Sequence, residues 1–329
     1  MLKIGIIGLA SVSEVHIKAI EKIEYANLIA ATDIDKTKKS LLKEGQTFYA
    51  NAKEMLENEK LDCVHICLPH FLNTENCLLA AQYGVNVFME KPIALNPIDA
   101  SSLDAIDDKI KVGVCFQNRY NETVQMAKKI IDSQKYGKPK GIKGIMTWHR
   151  SEEYFLNSWI GKKELSGGGV MTSMGIHTLD ILYYLMGDVK WVHGYTGNFL
   201  HSKIDVEDTA IAHLAFQNGA NGIFYSTVTY ARDAAVDIEI VLETAVLSIA
   251  DGKLILKTEN ANSEILAYDG QNSPKKTSEW GDKHFEAIYD FYNALLNKNS
   301  SYITISEAKK ATEIIYAIEK SKSEGRYYL

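Results

Sequence analysis

Residues 85–94, VNVFMEKPIA, contain a short apolar strand that ends in a glutamate, a lysine and a proline. Such an apolar run is typical of a strand buried on both faces of a parallel sheet. Open α/β sheets bind ligands at the carboxyl ends of their strands, so Lys91 is expected to face a ligand. A Glu-Lys-Pro sequence at a strand exit is more often only a solvated turn, and the prediction therefore depends on the rest of the chain.

The first 120 residues alternate short apolar runs with helical patterns. Strands are predicted at KIGIIGL, ANLIAATDID, DCVHICLP, VNVFME and KVGVCFQN, and one of the predicted helices begins at Lys36. Strands and helices in alternation form a parallel sheet that is covered on both faces. Residues 1–120 are therefore predicted to be a doubly wound α/β domain.

After Tyr120 the chain becomes rich in β patterns, which predict an α+β domain over residues 121–329 with one large, mainly antiparallel sheet. Asn218-Gly219 and Asp251-Gly252 lie between such runs, and both pairs are favoured in hairpin turns. The outer face of this sheet would be exposed to solvent unless another surface packs on it, and a second copy of the chain would provide that surface. We therefore expect a homodimer or homotetramer through the sheet.

The composition describes a globular protein without the basic surface of a nucleic-acid binder, since 24% of the 329 residues are charged and the formal net charge is −6. No apolar stretch approaches the roughly 20 residues that a membrane span requires. The chain starts with a strand pattern instead of a signal peptide, so a cytoplasmic location without membrane or nucleic-acid partners is expected.

All four cysteines lie in apolar segments of the first 115 residues, which favours reduced thiols in the core over disulfides. Cys63, His65 and Cys67 share one face of a strand and could in principle present metal ligands. A fourth ligand is not apparent, and buried cysteine and histidine are usually only packed. We expect no metal site.

The turn after the first strand is compatible with a dinucleotide pyrophosphate. Where the G-x-G-x-x-G pattern has three glycines, this chain has Gly8, Ala10 and Ser13. Small residues let a pyrophosphate approach the helix start at Ala10, Ser11 and Val12, although a structural turn explains the pattern equally well.

Asp33 ends the second strand, at the place where an acidic side chain accepts hydrogen bonds from the adenosine ribose. A carboxylate there would repel the extra phosphate of NADP. NAD is therefore favoured, with NADP as the weaker alternative because Lys36 is close in sequence. The other interpretation of Asp33 is a helix cap.

Three consecutive glycines, at 167–169, precede a helical segment with Ser173, His177 and Asp180. Offsets of four and three residues place these side chains on one face of a helix. Histidine titrates near neutrality and suits general base catalysis, and Asp180 could orient it or a substrate. A packed histidine and an exposed aspartate on a core helix would give the same pattern.

Together, the glycine turn, the Glu-Lys-Pro segment and SGGGVMTSMGIHTLDILYYLMG at 166–187 resemble the Gfo/Idh/MocA family of nicotinamide-dependent oxidoreductases, over nearly the whole chain. The resemblance implies an NAD(P)-binding Rossmann domain followed by a substrate-binding and oligomerisation domain. It places the cofactor near Leu68, Pro69, Glu90 and Lys91. It also implies that His177 is the general base and that Lys91 hydrogen-bonds the reacting oxygen.

Besides Ala10 and Ser13, the chain departs from the family pattern at three further positions. Asn73 stands where the family has a histidine, which is displaced here to His70, so the role of the Asn73 side chain in cofactor binding is open. Ser173 replaces Asp or Asn and cannot supply a counter-charge to His177. Ile160 replaces an arginine of the substrate tract, which argues against an acidic or phosphorylated sugar.

The implied reaction is hydride transfer between nicotinamide and a secondary hydroxyl of a sugar, inositol or related polyol. Candidates for the substrate pocket are Arg119, Arg150, Tyr154, Trp159 and Ser173. Two alternatives of the same fold remain open at this point: a glycoside hydrolase that recycles its NAD, and a non-catalytic NAD-binding sensor.

Overall fold

The computed structural model describes residues 1–259, 261–269, 283–298 and 300–329. They form two compact units. The first contains Met1–Gln117 and the described part of Ser278–Lys309, and the second contains the described part of Asn118–Thr277 and Lys310–Leu329. The predicted functional boundary at residue 120 stays a prediction. Among the described residues, no helix combines the length and apolar character needed to cross a membrane.

The strands of the described residues are β1 (Leu2–Ile7), β2 (Ala26–Thr32), β3 (Thr47–Tyr49), β4 (Cys63–Ile66), β5 (Asn86–Glu90), β6 (Val112–Cys115), β7 (Pro139–Thr147), β8 (Val189–Gly197), β9 (Thr209–Phe216), β10 (Asn221–Thr227), β11 (Asp237–Leu242), β12 (Ala245–Ala250), β13 (Lys253–Thr258), β14 (Ala261–Tyr268) and β15 (Tyr327–Tyr328).

The α-helices of the described residues are α1 (Ser11–Glu21), α2 (Ala52–Asn58), α3 (Asn73–Gln82), α4 (Pro97–Ser102), α5 (Glu122–Ser133), α6 (Glu152–Leu156), α7 (Lys163–Ser166), α8 (Ile176–Met186), α9 (His284–Leu295) and α10 (Ile305–Glu324). A π-helical turn, Met171–Gly175, leads directly into α8.

The first unit is built on a parallel sheet with the order β3-β2-β1-β4-β5-β6. One row of paired residues crosses five of its strands, namely Thr32, Ile7, Ile66, Met89 and Val114. The chain therefore leaves these strands side by side, at the carboxyl edge where such sheets bind ligands. The predicted doubly wound α/β fold is confirmed.

The second unit contains a sheet with the order β14-β13-β12-β11-β7-β10-β9-β8-β15. Its neighbouring strands pair antiparallel except β7 and β10, which are parallel. The predicted turns are present: Asp251 and Gly252 both have positive φ angles, 48° and 67°, as a type I′ hairpin turn requires, and Gly219 has a φ of 89°. The prediction of a large, mainly antiparallel sheet is confirmed.

The helix predicted to begin at Lys36 is a 3₁₀ helix, Lys36–Leu41. None of its residues is buried, so this segment has no apolar face whose packing could stabilise a longer α-helix. Asp35 caps it by accepting a hydrogen bond from the Thr37 N–H at 2.9 Å. The sequence also predicts a helix over roughly Asp282–Leu296; Asp282 lies outside the described residues, and the structure has α9 from His284 to Leu295.

The core of the first unit includes an aromatic group centred on Phe291 of α9, which is fully buried. Its ring centroid lies 5.4 Å from that of Phe88 and 5.1 Å from that of Tyr302. A Cβ atom added at Gly113 would approach the Phe291 ring to 2.6 Å, so only glycine fits at that point of β6. Helix α9 therefore packs directly on the parallel sheet.

We predict that Phe291→Ala lowers the free energy of unfolding by about 3–5 kcal/mol, because it leaves a cavity between β6 and α9. Phe199, which is 59% exposed, provides a matched control, and Phe199→Ala should change the free energy by no more than about 0.5 kcal/mol. Chemical denaturation of the two variants measures both values. Equal effects would contradict the packing described here.

Candidate active site

The turn between β1 and α1 requires glycine at position 8. Gly8 has a φ of +92°, and a Cβ atom there would lie 2.5 Å from the Cys67 carbonyl oxygen. At the start of α1, Ala10 and Ser11 are exposed, and no side chain caps the helix. The amino end of the helix can therefore accept an anionic group such as a pyrophosphate, as predicted for Ala10, Ser11 and Val12.

Asp33 is held beside this turn by two backbone groups. Its Oδ2 accepts a hydrogen bond from the Leu9 N–H at 2.7 Å, and its Oδ1 accepts one from the Asp35 N–H at 2.8 Å. The carboxylate is partly exposed and has further acceptor sites, which suits it to bind ribose hydroxyls. The side chain that caps the following 3₁₀ helix is Asp35, so the capping alternative for Asp33 does not hold.

Lys91 lies directly after β5, and the Lys91–Pro92 peptide bond is cis. Burial lowers the pKa of Lys91, and interactions with Glu90 and Cys115 oppose this lowering. The Asn73 Nδ2 donates hydrogen bonds to the carbonyl oxygens of Pro92 at 2.9 Å and Glu90 at 3.4 Å. Asn73 is fully buried, so its side chain fixes the backbone on both sides of Lys91.

The positions predicted to border the cofactor therefore lie on one edge of the parallel sheet. Leu68 and Pro69, which follow β4, are partly exposed there, and His70 is buried. The Glu90 side chain instead turns into the interior. The roles of these residues in cofactor binding stay predictions.

Sequence reasoning missed a buried polar group around Glu90, the residue before Lys91. The His16 Nε2 lies 3.0 Å from Glu90 Oε1, and the His16 Nδ1 lies 2.8 Å from the His65 Nδ1. The His65 Nε2 in turn lies 2.7 Å from the Tyr292 hydroxyl. The available clue was the presence of His65 and Glu90 within the mainly apolar strands β4 and β5.

Donor atoms of His16, Glu90, Cys115 and His284 lie within 4.8 Å of one another, and these residue types bind transition metals. His16 and Glu90 contact each other directly at a hydrogen-bond distance, so this pair is satisfied by protein atoms alone. His65, considered above together with Cys63 and Cys67, bonds instead to His16 and Tyr292.

In the second unit, the π-helical turn and the start of α8 present Ser173 and His177. Both are partly exposed, whereas the other residues from 171 to 180 are buried. Four residues apart, they lie on one face, as predicted. A π-helical turn is a rare element that often occurs at functional sites.

Glu207 anchors the glycine tract in front of this turn. Its Oε2 accepts the Gly169 N–H at 2.8 Å, its Oε1 accepts the Met171 N–H at 3.0 Å, and its carbonyl oxygen accepts the Val170 N–H at 2.9 Å. A Cβ atom at Gly169 would lie 1.9 Å from that carbonyl oxygen, so only glycine allows this approach. The position of the Ser173 and His177 face therefore depends on Glu207.

Asp180 and Arg119 form a buried, bidentate ion pair. Arg119 Nε donates to Asp180 Oδ2 at 2.8 Å, and Arg119 Nη2 donates to Asp180 Oδ1 at 2.7 Å. Both residues are at most 3% exposed. Asp180 was expected to share a catalytic face with Ser173 and His177, and Arg119 to contact substrate; the structure joins the two to each other inside the unit.

The predicted substrate tract is held mainly by internal contacts. Arg150 Nη1 donates to both Asp233 carboxylate oxygens, at 3.0 and 3.1 Å. Ile160 packs against an apolar cluster of Met146, Phe155, Val170, Met174, Ile204, Val206 and Val228. Tyr154 is exposed and Trp159 is partly buried, so these two aromatic side chains offer accessible surface.

Burial raises the pKa of Glu207 to about 7, outweighing the hydrogen bonds from Gly169 and Met171. A carboxyl group whose pKa is higher in the folded than in the unfolded chain contributes its full stabilisation below the unfolded pKa, near 4.5. This contribution is lost as the pH rises from there through the folded pKa of about 7. We predict that the wild type loses about 3 kcal/mol of stability across this interval through Glu207.

Glu207→Gln should remove this part of the pH dependence, whereas Glu164→Gln, at an exposed position of the same unit, should retain it. Denaturation experiments at pH 5 and pH 8 measure the difference. A pH dependence that is unchanged in Glu207→Gln would show that Glu207 does not titrate in this range.

Comparison with known proteins places these features in a family. Residues 2–117 match the family model described as oxidoreductase family, NAD-binding Rossmann fold, and residues 124–248 match the GFO/IDH/MocA C-terminal domain. The chain is 22% identical to the myo-inositol 2-dehydrogenase of Thermotoga maritima, with 99% of this chain and 97% of the relative covered. It is 23% identical to the inositol 2-dehydrogenase/D-chiro-inositol 3-dehydrogenase of Shouchella clausii, with 88% and 81% covered.

The fold is also that of the WlbA dehydrogenase of Chromobacterium violaceum, solved in complex with NADH and UDP-GlcNAcA. The TM-score is 0.88 at 24% identity, with 100% of this chain and 96% of that chain covered. The parallel sheet and the second sheet agree with the two family matches, and these matches together span most of the sequence. The chain belongs to the Gfo/Idh/MocA family of oxidoreductases.

Proposed function

We propose that the protein is an NAD-dependent dehydrogenase that oxidises a secondary hydroxyl of an uncharged sugar, inositol or related polyol. The observation that carries this proposal is the common edge of the parallel sheet, where the Gly8 turn, Asp33 and Lys91 follow β1, β2 and β5. The exposed and uncapped start of α1 fits the pyrophosphate of a dinucleotide.

Two side chains of the protein have roles in the proposed reaction. The family pattern gives His177 the role of the general base that accepts the proton of the substrate hydroxyl. It gives the Lys91 ammonium the role of a hydrogen-bond donor that stabilises developing negative charge. NAD, held by the Gly8 turn and Asp33, would supply the hydride acceptor. Ser173, four residues before His177, would hydrogen-bond either the imidazole or a substrate hydroxyl.

The preference for an uncharged substrate rests on the charges of the second unit. Arg119 is paired with Asp180 and Arg150 with Asp233, and Ile160 packs in an apolar cluster. A carboxylate or phosphate on the substrate would therefore have to compete with these carboxylates for an arginine. The two inositol dehydrogenases among the relatives are named for uncharged polyols.

We also propose that two or four copies assemble through the sheet of the second unit. Tyr195, Ile211 and Ile223 are each about half exposed on one face of β8, β9 and β10, and Tyr195 and Ile211 are direct cross-strand neighbours. Burial of such a surface against a second copy would stabilise an oligomer. The four cysteines are free thiols, which supports the proposed cytoplasmic location.

We predict that Lys91→Met lowers kcat by about 10²- to 10⁴-fold, because it removes the group that stabilises the developing charge. NADH formation at 340 nm, measured with a panel of inositols, neutral sugars, sugar acids and nucleotide sugars, tests this. Lys109→Met, at an exposed lysine of the same unit, is the matched control and should leave kcat unchanged. Equal activity in the two variants would contradict the role of Lys91.

We predict that Asp33→Ser raises the KM for NAD at least about tenfold and improves the use of NADP relative to NAD, because it removes both the ribose acceptor and the charge that repels a 2′-phosphate. Asp35→Ser, which removes a carboxylate two residues away, is the control. Steady-state kinetics with both cofactors measure the effect, and an unchanged NAD to NADP ratio would show that Asp33 does not set the preference.

A further inference from the structure

Four side chains whose types bind transition metals meet in the interior of the first unit. They come from α1, β5, β6 and α9, and they are His16, Glu90, Cys115 and His284. One donor atom from each lies within 4.8 Å of the other three, and none of the four residues is more than 6% exposed. The group shares no residue with the β4 face of alternating cysteine and histidine.

His284 is the member of this group whose burial is not compensated by hydrogen bonds. Neither of its ring nitrogens has a hydrogen-bond partner among the described residues, although the residue is only 1% exposed. Its Nε2 lies 3.5 Å from Glu90 Oε1, beyond the range of roughly 2.7–3.2 Å that is usual for such bonds. Burying polar atoms without partners costs free energy. A metal ion bound to Nε2 would remove part of this cost.

The spacing of the donor atoms is close to that of a tetrahedral zinc site. Zinc bonds of about 2.0–2.3 Å to nitrogen, oxygen and sulfur place neighbouring ligand atoms about 3.3–3.8 Å apart. Glu90 Oε1 lies 3.5 Å from the His284 Nε2, within this range, and 3.0 Å from the His16 Nε2, slightly below it. Zinc in place of the hydrogen between His16 and Glu90 would widen the shorter separation. A separation of 4.8 Å, the upper limit in this group, would have to close by about 1 Å.

The charges of the four ligands also favour a divalent ion. The Cys115 thiol proton passes to solvent as the zinc–sulfur bond forms, because the thiolate is the metal ligand. The thiolate and the Glu90 carboxylate then carry two negative charges, which Zn²⁺ cancels, while the two imidazoles are neutral. A site without net charge avoids the large cost of an unpaired charge in the protein interior. Ligand sets with thiolate and imidazole select zinc over magnesium and calcium, which prefer oxygen ligands.

His16 has the outer hydrogen bond that is typical of zinc-bound histidines. Its Nδ1 lies 2.8 Å from the His65 Nδ1, and the His65 Nε2 lies 2.7 Å from the Tyr292 hydroxyl. When Nε2 of His16 binds zinc, its hydrogen lies on Nδ1 and is donated to His65, which then donates from Nε2 to Tyr292. Metal-bound histidines almost always donate their second N–H to such a partner, and this bond fixes the orientation of the ring.

We propose that the first unit contains a structural zinc site, whose four ligands are His16, Glu90, Cys115 and His284. Four protein ligands complete a tetrahedral site and leave no open position for a substrate, as in zinc sites that stabilise folds. The ion joins the last residues of β5 and β6 to α1 and α9. The site is separate from the proposed dehydrogenase reaction, and its tests need no turnover.

The full chain without an affinity tag tests the site directly. Expressed with zinc in the medium, it should contain about one zinc ion per chain by inductively coupled plasma mass spectrometry. After removal of zinc with a chelator, added Co²⁺ should give the visible bands of a tetrahedral site and a thiolate-to-cobalt charge-transfer band. Zinc added to the metal-free chain at about 100 times its Kd should raise the Tm by at least about 5 °C, because zinc binds only the folded unit.

Cys115→Ser should lower the affinity for zinc at least about 100-fold and abolish the charge-transfer band, because it removes the thiolate. Cys77→Ser, at another buried free cysteine of the same unit, is the matched control and should change neither. His284→Gln is a second ligand variant. It should also weaken binding of zinc, but a chain saturated with cobalt should keep the charge-transfer band.

Two results would overturn the proposal. One is a wild-type chain that contains no zinc and binds none when zinc is added. The other is equal zinc binding by the wild type, Cys115→Ser and His284→Gln, because the ion would then be held elsewhere on the chain. Zinc binding at this site without NADH formation from any substrate would support the site and contradict only the proposed function. NADH formation by a chain that binds no zinc would do the reverse.

Discussion

Parallel pairing in register across β2, β1, β4, β5 and β6 is the constraint on which the candidate cofactor site depends. Because one row of residues is aligned across the five strands, the chain leaves each of them at the same level. Asp33, Gly8, Cys67, Glu90 and Cys115 are the residues that immediately follow this row. The close approach of Gly8 to Cys67 is possible only because the turn carries no side chain. A shift of one strand by one residue would separate the acceptor for the ribose from the turn for the pyrophosphate.

Buried carboxylates then hold the chemically important segments in place. Glu90, the residue before Lys91, contacts His16. Glu207 fixes the glycine tract before Ser173 with two backbone hydrogen bonds, and Asp180 is paired with Arg119. Each carboxylate costs free energy to bury unless its acceptors are satisfied, and each has partners at hydrogen-bond distance. Such groups contribute little net stability, but loss of one partner leaves an uncompensated charge, so they specify one local geometry.

Much of this arrangement could be predicted from the sequence. The alternation of strands and helices predicted the parallel sheet, and the pairs Asn218-Gly219 and Asp251-Gly252 predicted two hairpins, because both signals depend on local physics. The offset of four residues correctly placed Ser173 and His177 on one face. It did not reveal that Asp180 is bound to Arg119, since that partner is 61 positions away in sequence. The group of His16, His65, Glu90 and His284 was missed for the same reason: its members come from four separate elements and meet only in the folded unit.

Deuterium labelling can follow the proposed transfer of a hydride from a carbinol carbon of the substrate to NAD. A substrate found in the NADH assay would be supplied with deuterium on the carbon that bears the reacting hydroxyl, and the NADH would be analysed by mass spectrometry. Direct hydride transfer predicts one deuterium atom in each NADH formed. Consumption of the substrate without labelled NADH would contradict it.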